Sequence, residues 1–259
     1  TMMEQLELNI VPKGEFVIAK GGQQASTLGK HNGSVLRISA DGRESTVLGY
    51  GFRQPSIGVN TRTGLVTSSD QEGQYIPSTP LHIVRDHQFY GYLSEGLHER
   101  ETYPAPIAEP MTWIPHSVNA SAISQIWLFG AKMGPLNDQL VHVGFNRPQL
   151  FKVMLNERSP RLQASVANIT NDFQHPLLNG SVNPKDGQLY IAGLQINGWG
   201  TTVDRLAGIS RVRYTGESVT LPSEVVPMEQ GALLRFDTRL DSKKATDPNS
   251  YSLSSWSYR

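Results

Sequence analysis

The chain has 259 residues, of which 38% are hydrophobic and 18% charged, with 24 Gly and 16 Pro. This is enough chain for one large all-β domain or two smaller ones, and the low charge and many turn formers suit a globular β protein better than a disordered tail or a helical bundle. Lys plus Arg and Asp plus Glu balance at 23 each, so there is no broad basic field to hold nucleic acid, and no apolar run reaches the roughly 18 residues of a transmembrane helix.

No cysteine is present, which removes disulfides, thiolate metal sites, a Cys nucleophile and covalent haem attachment. Thr1-Met2-Met3-Glu4 has neither the basic start nor the apolar stretch of a signal peptide. Four Asn-x-Ser/Thr sequons, at Asn32, Asn119, Asn168 and Asn179, are close to chance in so Ser- and Asn-rich a chain.

In chain order, the first strand signal is Glu15 to Lys20, ending at Gly21-Gly22. Ser34 to Ser39 alternates apolar and polar residues, Ala40-Asp41-Gly42-Arg43 reads as a hairpin turn, and Glu44 to Leu48 returns. Gly58 to Thr67 and Ser181 to Ile191 share one pattern, a strand end, a turn closed by Gly and an apolar strand. Val35-Leu36-Arg37-Ile38, Leu150-Phe151-Lys152-Val153 and Ile209-Ser210-Arg211-Val212 share another, expected to end a repeat. Leu93 to Arg100 is the one stretch with helical character, and Pro104, Pro106 and Pro110 extend the excursion after it. Beyond Gly216, Glu217 to Pro227 is a linker carrying a strand and Gly231 to Asp237 is a new strand. Lys243 to Pro248 is a turn, and Tyr251 to Trp256 alternates again. Recurring strand–turn–strand units without a long helix predict radial repetition, with a β-sandwich as the alternative. The fold expected is all-β: a partial β-propeller of about three to four blades over residues 1–218, then the first strands of a truncated second β domain over 219–259.

Several segments resemble the propeller of the quinoprotein glucose and sorbosone dehydrogenase-like family, most closely its planctomycete-type versions, which carry a further β domain and often a cytochrome c domain. They stand in order: Gly33 to Gly42, Gly51-Phe52-Arg53-Gln54-Pro55, Ser69-Asp70-Gln71-Glu72-Gly73, Pro80-Leu81-His82 through Phe89-Tyr90-Gly91, and Trp113-Ile114-Pro115-His116. Gln125-Ile126-Trp127, Gly134-Pro135-Leu136, Gly198-Trp199-Gly200-Thr201 and Arg211 to Gly216 follow, then Leu234-Arg235-Phe236 through Asp247-Pro248, Tyr251 and Trp256. Departures are Gln54 in place of Asn, His87-Gln88 in place of Gly-Gly, and Ala207-Gly208-Ile209-Ser210 where a Gly-Gly-aromatic pattern belongs. The family's propeller has six blades, so the resemblance implies that this chain is a fragment whose missing blades are its partners. It also implies oxidation of a sugar or polyol by bound pyrroloquinoline quinone (PQQ) with calcium, in a periplasmic or secreted setting. The family's catalytic His falls upstream of Thr1 and maps onto no residue here.

A quinone bearing several carboxylates calls for Arg or Lys, a base near its reactive carbonyl and a hard cation held by oxygens. Arg53 and Gln54 are the cofactor-binding candidates; the structural alternative for Arg53 is a tie between its loop and backbone carbonyls. Asp70 and Gln71, at a strand end, are candidates for the substrate side, against the simpler reading of Asp70 as a turn former. Asn197, Trp199 and Arg205 form a third group in which the indole stacks on a sugar or closes a blade's core. His116 is the one candidate for catalysis, since no His pair has metal-site spacing and a lone His is more often a surface or hydrogen-bonded loop residue. Two further readings stay open. One is a non-catalytic module that binds carbohydrate or a protein. The other is a calcium-dependent lactonase-like hydrolase built on Asp70, Asn137, Asp138 and Asp204.

Overall fold

The structure, a computed structural model, describes residues 6–11, 13–23, 31–73, 76–93, 106–157, 161–196 and 200–256. Strands β1 (Leu6–Ile10), β2 (Phe16–Lys20), β3 (Ser34–Ile38) and β4 (Ser45–Tyr50) form an antiparallel meander, the first blade. The second blade opens with β5 (Ser56–Val59), β6 (Val66–Ser69) and β7 (Thr79–Ile83). From β7 the chain leaves, lays β8 (Gln88–Phe89) parallel to β4 at the edge of the first blade, and returns to pair β9 (Thr112–Ile114) with β7. Strands β10 (Ala122–Trp127), β11 (Leu140–Gly144), β12 (Gln149–Asn156) and β13 (Gln163–Thr170) make the third blade. The fourth has β14 (Asn179–Val182), β15 (Leu189–Leu194) and β16 (Ala207–Val212). A ribbon of β17 (Pro222–Met228) and β18 (Gly231–Phe236) lies against β12 and β13, where Lys152 Nζ donates to the Pro222 carbonyl at 2.9 Å.

The opening strands sit side by side, β1 and β2 against β5, β5 against β10, and β10 against β14. This radial stacking of antiparallel meanders is a partial β-propeller, as the sequence predicts. Apolar faces meet between blades one and two, where Val17, Ala19, Val35 and Leu48 pack with Ile57, Val59 and Val66. They meet again between blades three and four, where Ile126, Val141, Val143 and Leu150 pack with Leu177, Leu189 and Ile191. Each Val, Leu or Ile side chain so removed from water contributes roughly 1.5–3 kcal/mol. β5, β6 and β11 are buried along their whole length, because blades cover both faces, so they lack simple alternation.

The duplicated sequence pattern is one hairpin used twice, as β5–β6 and β14–β15. In each, Gly N–H donates to the Asn carbonyl four residues earlier (Gly64 to Asn60 at 2.7 Å, Gly187 to Asn183 at 2.8 Å). The Asn side chain accepts the N–H two residues on, from Arg62 and from Lys185, at 3.0 Å in both. The other recurring pattern occupies the third strand of blades one, three and four. It ends a blade only in the fourth, since β4 and β13 follow it in the first and third.

Two expectations change, and a third falls outside the described residues. The long excursion does not simply join two blades: it leaves the second, stitches the first and returns. The helical signal at Leu93 to Arg100 lies outside the described residues beyond Leu93. Tyr251 to Trp256 is extended and exposed with no strand partner among the described residues, so its alternation has no second strand to act on. Before it, the turn at Lys243 to Pro248 includes the short helix α1 (Ser242–Ala245), capped by the Asp241 side chain.

Candidate functional site

The blades share two rims. One carries the connections after β5, β10 and β14. The other carries the crossovers that lead from the last strand of one blade to the first of the next, over residues 51–55, 115–121 and 171–178. Arg53 and Gln54 lie in the first crossover, Asp70 and Gln71 at the end of β6 on the same rim, and His116 in an exposed turn of the second crossover.

The structure brings four of the predicted residues together. The buried Asp70 carboxylate accepts the N–H of Arg53 at 2.7 Å on Oδ2, and those of Gln54 at 2.6 Å and Gln71 at 2.9 Å on Oδ1. Burial pushes this carboxyl up to about 7, against the three N–H donors and the Arg53 charge, which pull it down. Asp70 therefore fixes the crossover backbone, and its oxygens are directed at main chain. Arg53 Nη1 donates to Gln71 Oε1 at 2.8 Å, and the guanidinium lies so near Gly73 that a Cβ there would come within 3.2 Å of Cζ. The Gln54 amide lies over Gly21, where a Cβ would meet Oε1 at 2.6 Å.

This cluster is tied to the next blade. Gln71 Nε2 donates to Ser121 Oγ at 3.2 Å. Glu72 accepts the Ser121 N–H at 2.9 Å, its hydroxyl at 3.0 Å and the Thr79 hydroxyl at 2.9 Å. Ser121 holds φ +53, a conformation that non-Gly residues adopt only when neighbours impose it, as Glu72 does here. Further along, Asn146 Nδ2 donates to the Gly200 carbonyl, and Thr202 N–H donates to the Asn146 carbonyl at 2.9 Å.

Of the third predicted group, Asn197 and Trp199 lie outside the described residues, and Arg205 is exposed on the crossover rim with its carbonyl accepting from Gln195 Nε2 at 3.0 Å. The hydrolase set is not assembled. Asn137 and Asp138 sit on the opposite rim, in the β10–β11 turn, where Asn137 Oδ1 accepts the Met133 N–H and Asp138 pairs with Arg62 at 2.7 Å. A whole blade height separates them from Asp70.

Sequence reasoning missed the polar seam between blades two and three. There Gln125 Nε2 donates to Ser69 Oγ at 2.7 Å, Thr67 Oγ1 donates to Gln125 Oε1 at 3.3 Å, and Ser56 and Ser124 hydroxyls meet at 3.4 Å. It also missed two buried strand histidines, which are neither surface nor loop residues. His82 lies edge-on to Tyr90 at 4.8 Å, Tyr90 stacks on Phe52 at 4.3 Å, and His82 Nδ1 has no partner. His142 Nδ1 faces the Ser124 carbonyl at 3.0 Å. Burial pulls His82 down to about 3 and His142 down to about 4, so both are neutral at pH 7. The available signal was the small polar run Thr67-Ser68-Ser69, which suits close packing of one sheet on another.

No protein-family model matches the chain, and no curated protein sequence matches it. Solved structures do. A glucose dehydrogenase structure aligns with a TM-score of 0.59 at 17% identity, over 82% of this chain and 63% of that one. An oxidoreductase of Thermus thermophilus described as a glucose dehydrogenase gives 0.55 at 19% identity, over 78% and 63%. The PQQ-bound form of an aldose sugar dehydrogenase from Streptomyces coelicolor gives 0.55 at 15%, over 79% and 60%. The chain has the β-propeller fold of the sugar dehydrogenases. It spans less than two thirds of the length of these structures.

Proposed function

We propose that this chain is part of a quinoprotein propeller that oxidises a sugar or polyol, with the Arg53 crossover as one wall of the cofactor site. The observation that carries this reading is the meeting of Arg53, Gln54 and Gln71 on the rim where the crossovers gather, held there by buried Asp70. A guanidinium flanked by amides suits a carboxylate-bearing planar ligand such as PQQ, because it pairs bidentately with carboxylate oxygens.

The described residues fit one edge of such a group and not the whole of it. Beside Arg53, the rim arginines among the described residues are Arg147, whose Nη1 donates to the Ser117 and Val118 carbonyls, and the exposed Arg205. Among the described residues no cluster of three or more His, Asp or Glu could hold a metal ion, so calcium, if bound, would rely on carbonyl oxygens. The two buried histidines are enclosed within the blades and do not reach the rim. No reaction step is therefore assigned to this chain alone.

Among the described residues no helix is long and apolar enough to cross a membrane, and the resemblance supports a periplasmic or secreted setting. Residues 219–259 are read as the opening of a further β domain. A second reading, a module that binds carbohydrate or protein without turnover, is favoured by one observation: Arg53 is already engaged by Gln71, and Asp70 is directed at backbone. Titration of the chain with PQQ and calcium, followed by absorbance and melting temperature, separates the two. The expected result is saturable binding that raises the melting temperature and is lost in Arg53→Ala. No binding by the unsubstituted chain would leave the second reading.

A further inference from the structure

The fourth blade holds a serine–histidine pair that the quinone reading leaves unused. His175 and Pro176, in the crossover from β13 to β14, lie over Gly193 and Gly208, which are register partners on β15 and β16. A Cβ at Gly208 would meet the imidazole at 2.5 Å, and one at Gly193 would run into the Pro176 carbonyl. The ring is therefore seated where only glycine leaves room for it, and His175 is 4% exposed. Its Nδ1 lies 2.7 Å from the Pro176 carbonyl, which can only accept. In the neutral ring Nδ1 thus holds the proton and Nε2 keeps its lone pair. Ser210 Oγ, two residues beyond Gly208, meets that Nε2 at 2.7 Å and has no other partner among the described residues. Ser210 is partly exposed, on a strand with one edge unpaired among the described residues. Gln195 N–H donates to the Leu206 carbonyl at 2.8 Å. Antiparallel pairs alternate, so Gly208 and Ser210 bond to β15, while Ile209 and Arg211 direct their N–H groups to the open edge.

We propose that Ser210 and His175 are the nucleophile and general base of a second site, which cleaves short-chain carboxylic esters. Ser210 Oγ bonds to the ester carbonyl carbon, its proton passes to His175 Nε2 and on to the departing alkoxide, and the alcohol leaves. Water then bonds to the acyl carbon and gives a proton to the same nitrogen. Oγ departs, recovers that proton, and the carboxylic acid is released. The Pro176 carbonyl orients the base, and the Arg211 N–H, next in the chain, is the donor for the developing oxyanion. Val212, on the same face as Ser210, packs against the core between blades three and four, which leaves room for a small acyl group. The departure from the family pattern at Ala207-Gly208-Ile209-Ser210 supplies both the seat of the ring and the nucleophile. The proposal is independent of whether a quinone binds.

The test treats the 259-residue chain with a fluorophosphonate, which forms an Oγ–P bond and releases fluoride, and maps the adduct by mass spectrometry. The expected adduct is on Ser210, is absent from Ser210→Ala, and forms about 10²–10⁴-fold more slowly in His175→Gln, with circular dichroism unchanged in both. Hydrolysis of p-nitrophenyl acetate is expected to fall with it. An unlabelled chain, an adduct confined to another serine, or a folded His175→Gln labelled at the unsubstituted rate overturns the proposal. Should His175→Gln fail to fold, the chain unfolded in urea replaces it: loss of Ser210 labelling is expected there, and labelling at the native rate overturns the proposal equally.

Discussion

Asp70 illustrates how one side chain can set a rim. Its three N–H donors lie on residues 53, 54 and 71, so Asp70→Ala leaves three partly buried donors without this partner. Each costs about 1–3 kcal/mol, and the summed loss is expected to appear as a lower urea midpoint. Its pH dependence has a definite sign. With the folded carboxyl raised to about 7 from 3.8, ionisation is disfavoured in the fold, so this group's contribution is full below about 3.8 and is lost as pH rises through 7. His82 works in the opposite direction. Its folded value of about 3 lies below 6.5, so stability is full above 6.5 and is lost as pH falls from there toward 3. His82→Phe, edge-on to the stacked Phe52 and Tyr90 rings, is expected to flatten acid destabilisation over that window, as read by melting temperature against pH. A variant with the unsubstituted slope would place the acid sensitivity elsewhere. The cluster at Arg53 was legible because a short motif carries it. The role of Asp70 was not, because its partners at 53 and 54 lie 17 and 16 residues upstream, and a strand-end Asp looks like any turn former.

Among elements, the hairpins were the most readable parts, since their signals are local. Asp41-Gly42 forms the turn expected, with Gly42 at φ +72 and Ser39 Oγ donating to Asp41 Oδ1 at 2.6 Å. Gly187 also sits at φ +72, but a Cβ there would meet the Lys132 backbone N at 3.0 Å, whereas nothing lies within 4 Å of one at Gly42. Gly42→Ala is therefore expected to cost only the backbone penalty, about 1–2 kcal/mol, and Gly187→Ala measurably more, in a side-by-side denaturant series. Equal costs would show that the neighbouring loop yields freely. β8 was unreadable, because two residues have no period and their pairing with β4 is set 39 positions away (Gly49 with Gln88). Tyr251 to Trp256 has the opposite fault: the alternation is present, but alternation alone does not make a strand without a neighbour to bond.

At the scale of the molecule, the apolar interior falls mainly into two parts, one between blades one and two and one between blades three and four. A polar seam and a smaller outer cluster of Leu81, Met111, Leu140, Val153 and Ala164 join them. Calorimetry is expected to resolve two transitions, with Ile57→Ala lowering one and Leu189→Ala the other, each by a large-to-small core loss of about 2–5 kcal/mol. A single transition lowered by both would show that the seam couples the halves fully. The blade count was recoverable from recurring hairpins. The way blades interlock was not, because it depends on contacts between residues far apart in the chain.

The stitch made by β8 bears on the order in which the protein can be built. A growing chain emerges from the ribosome N-terminus first, and strands β1 to β4 are all available once Tyr50 is out. The edge of that sheet nevertheless stays open until Phe89 follows, by which time β5 to β7 have already been made. The first two blades must therefore mature as a pair, and a nascent chain stalled between residues 50 and 88 would expose β4's unpaired edge to whatever strand is nearest.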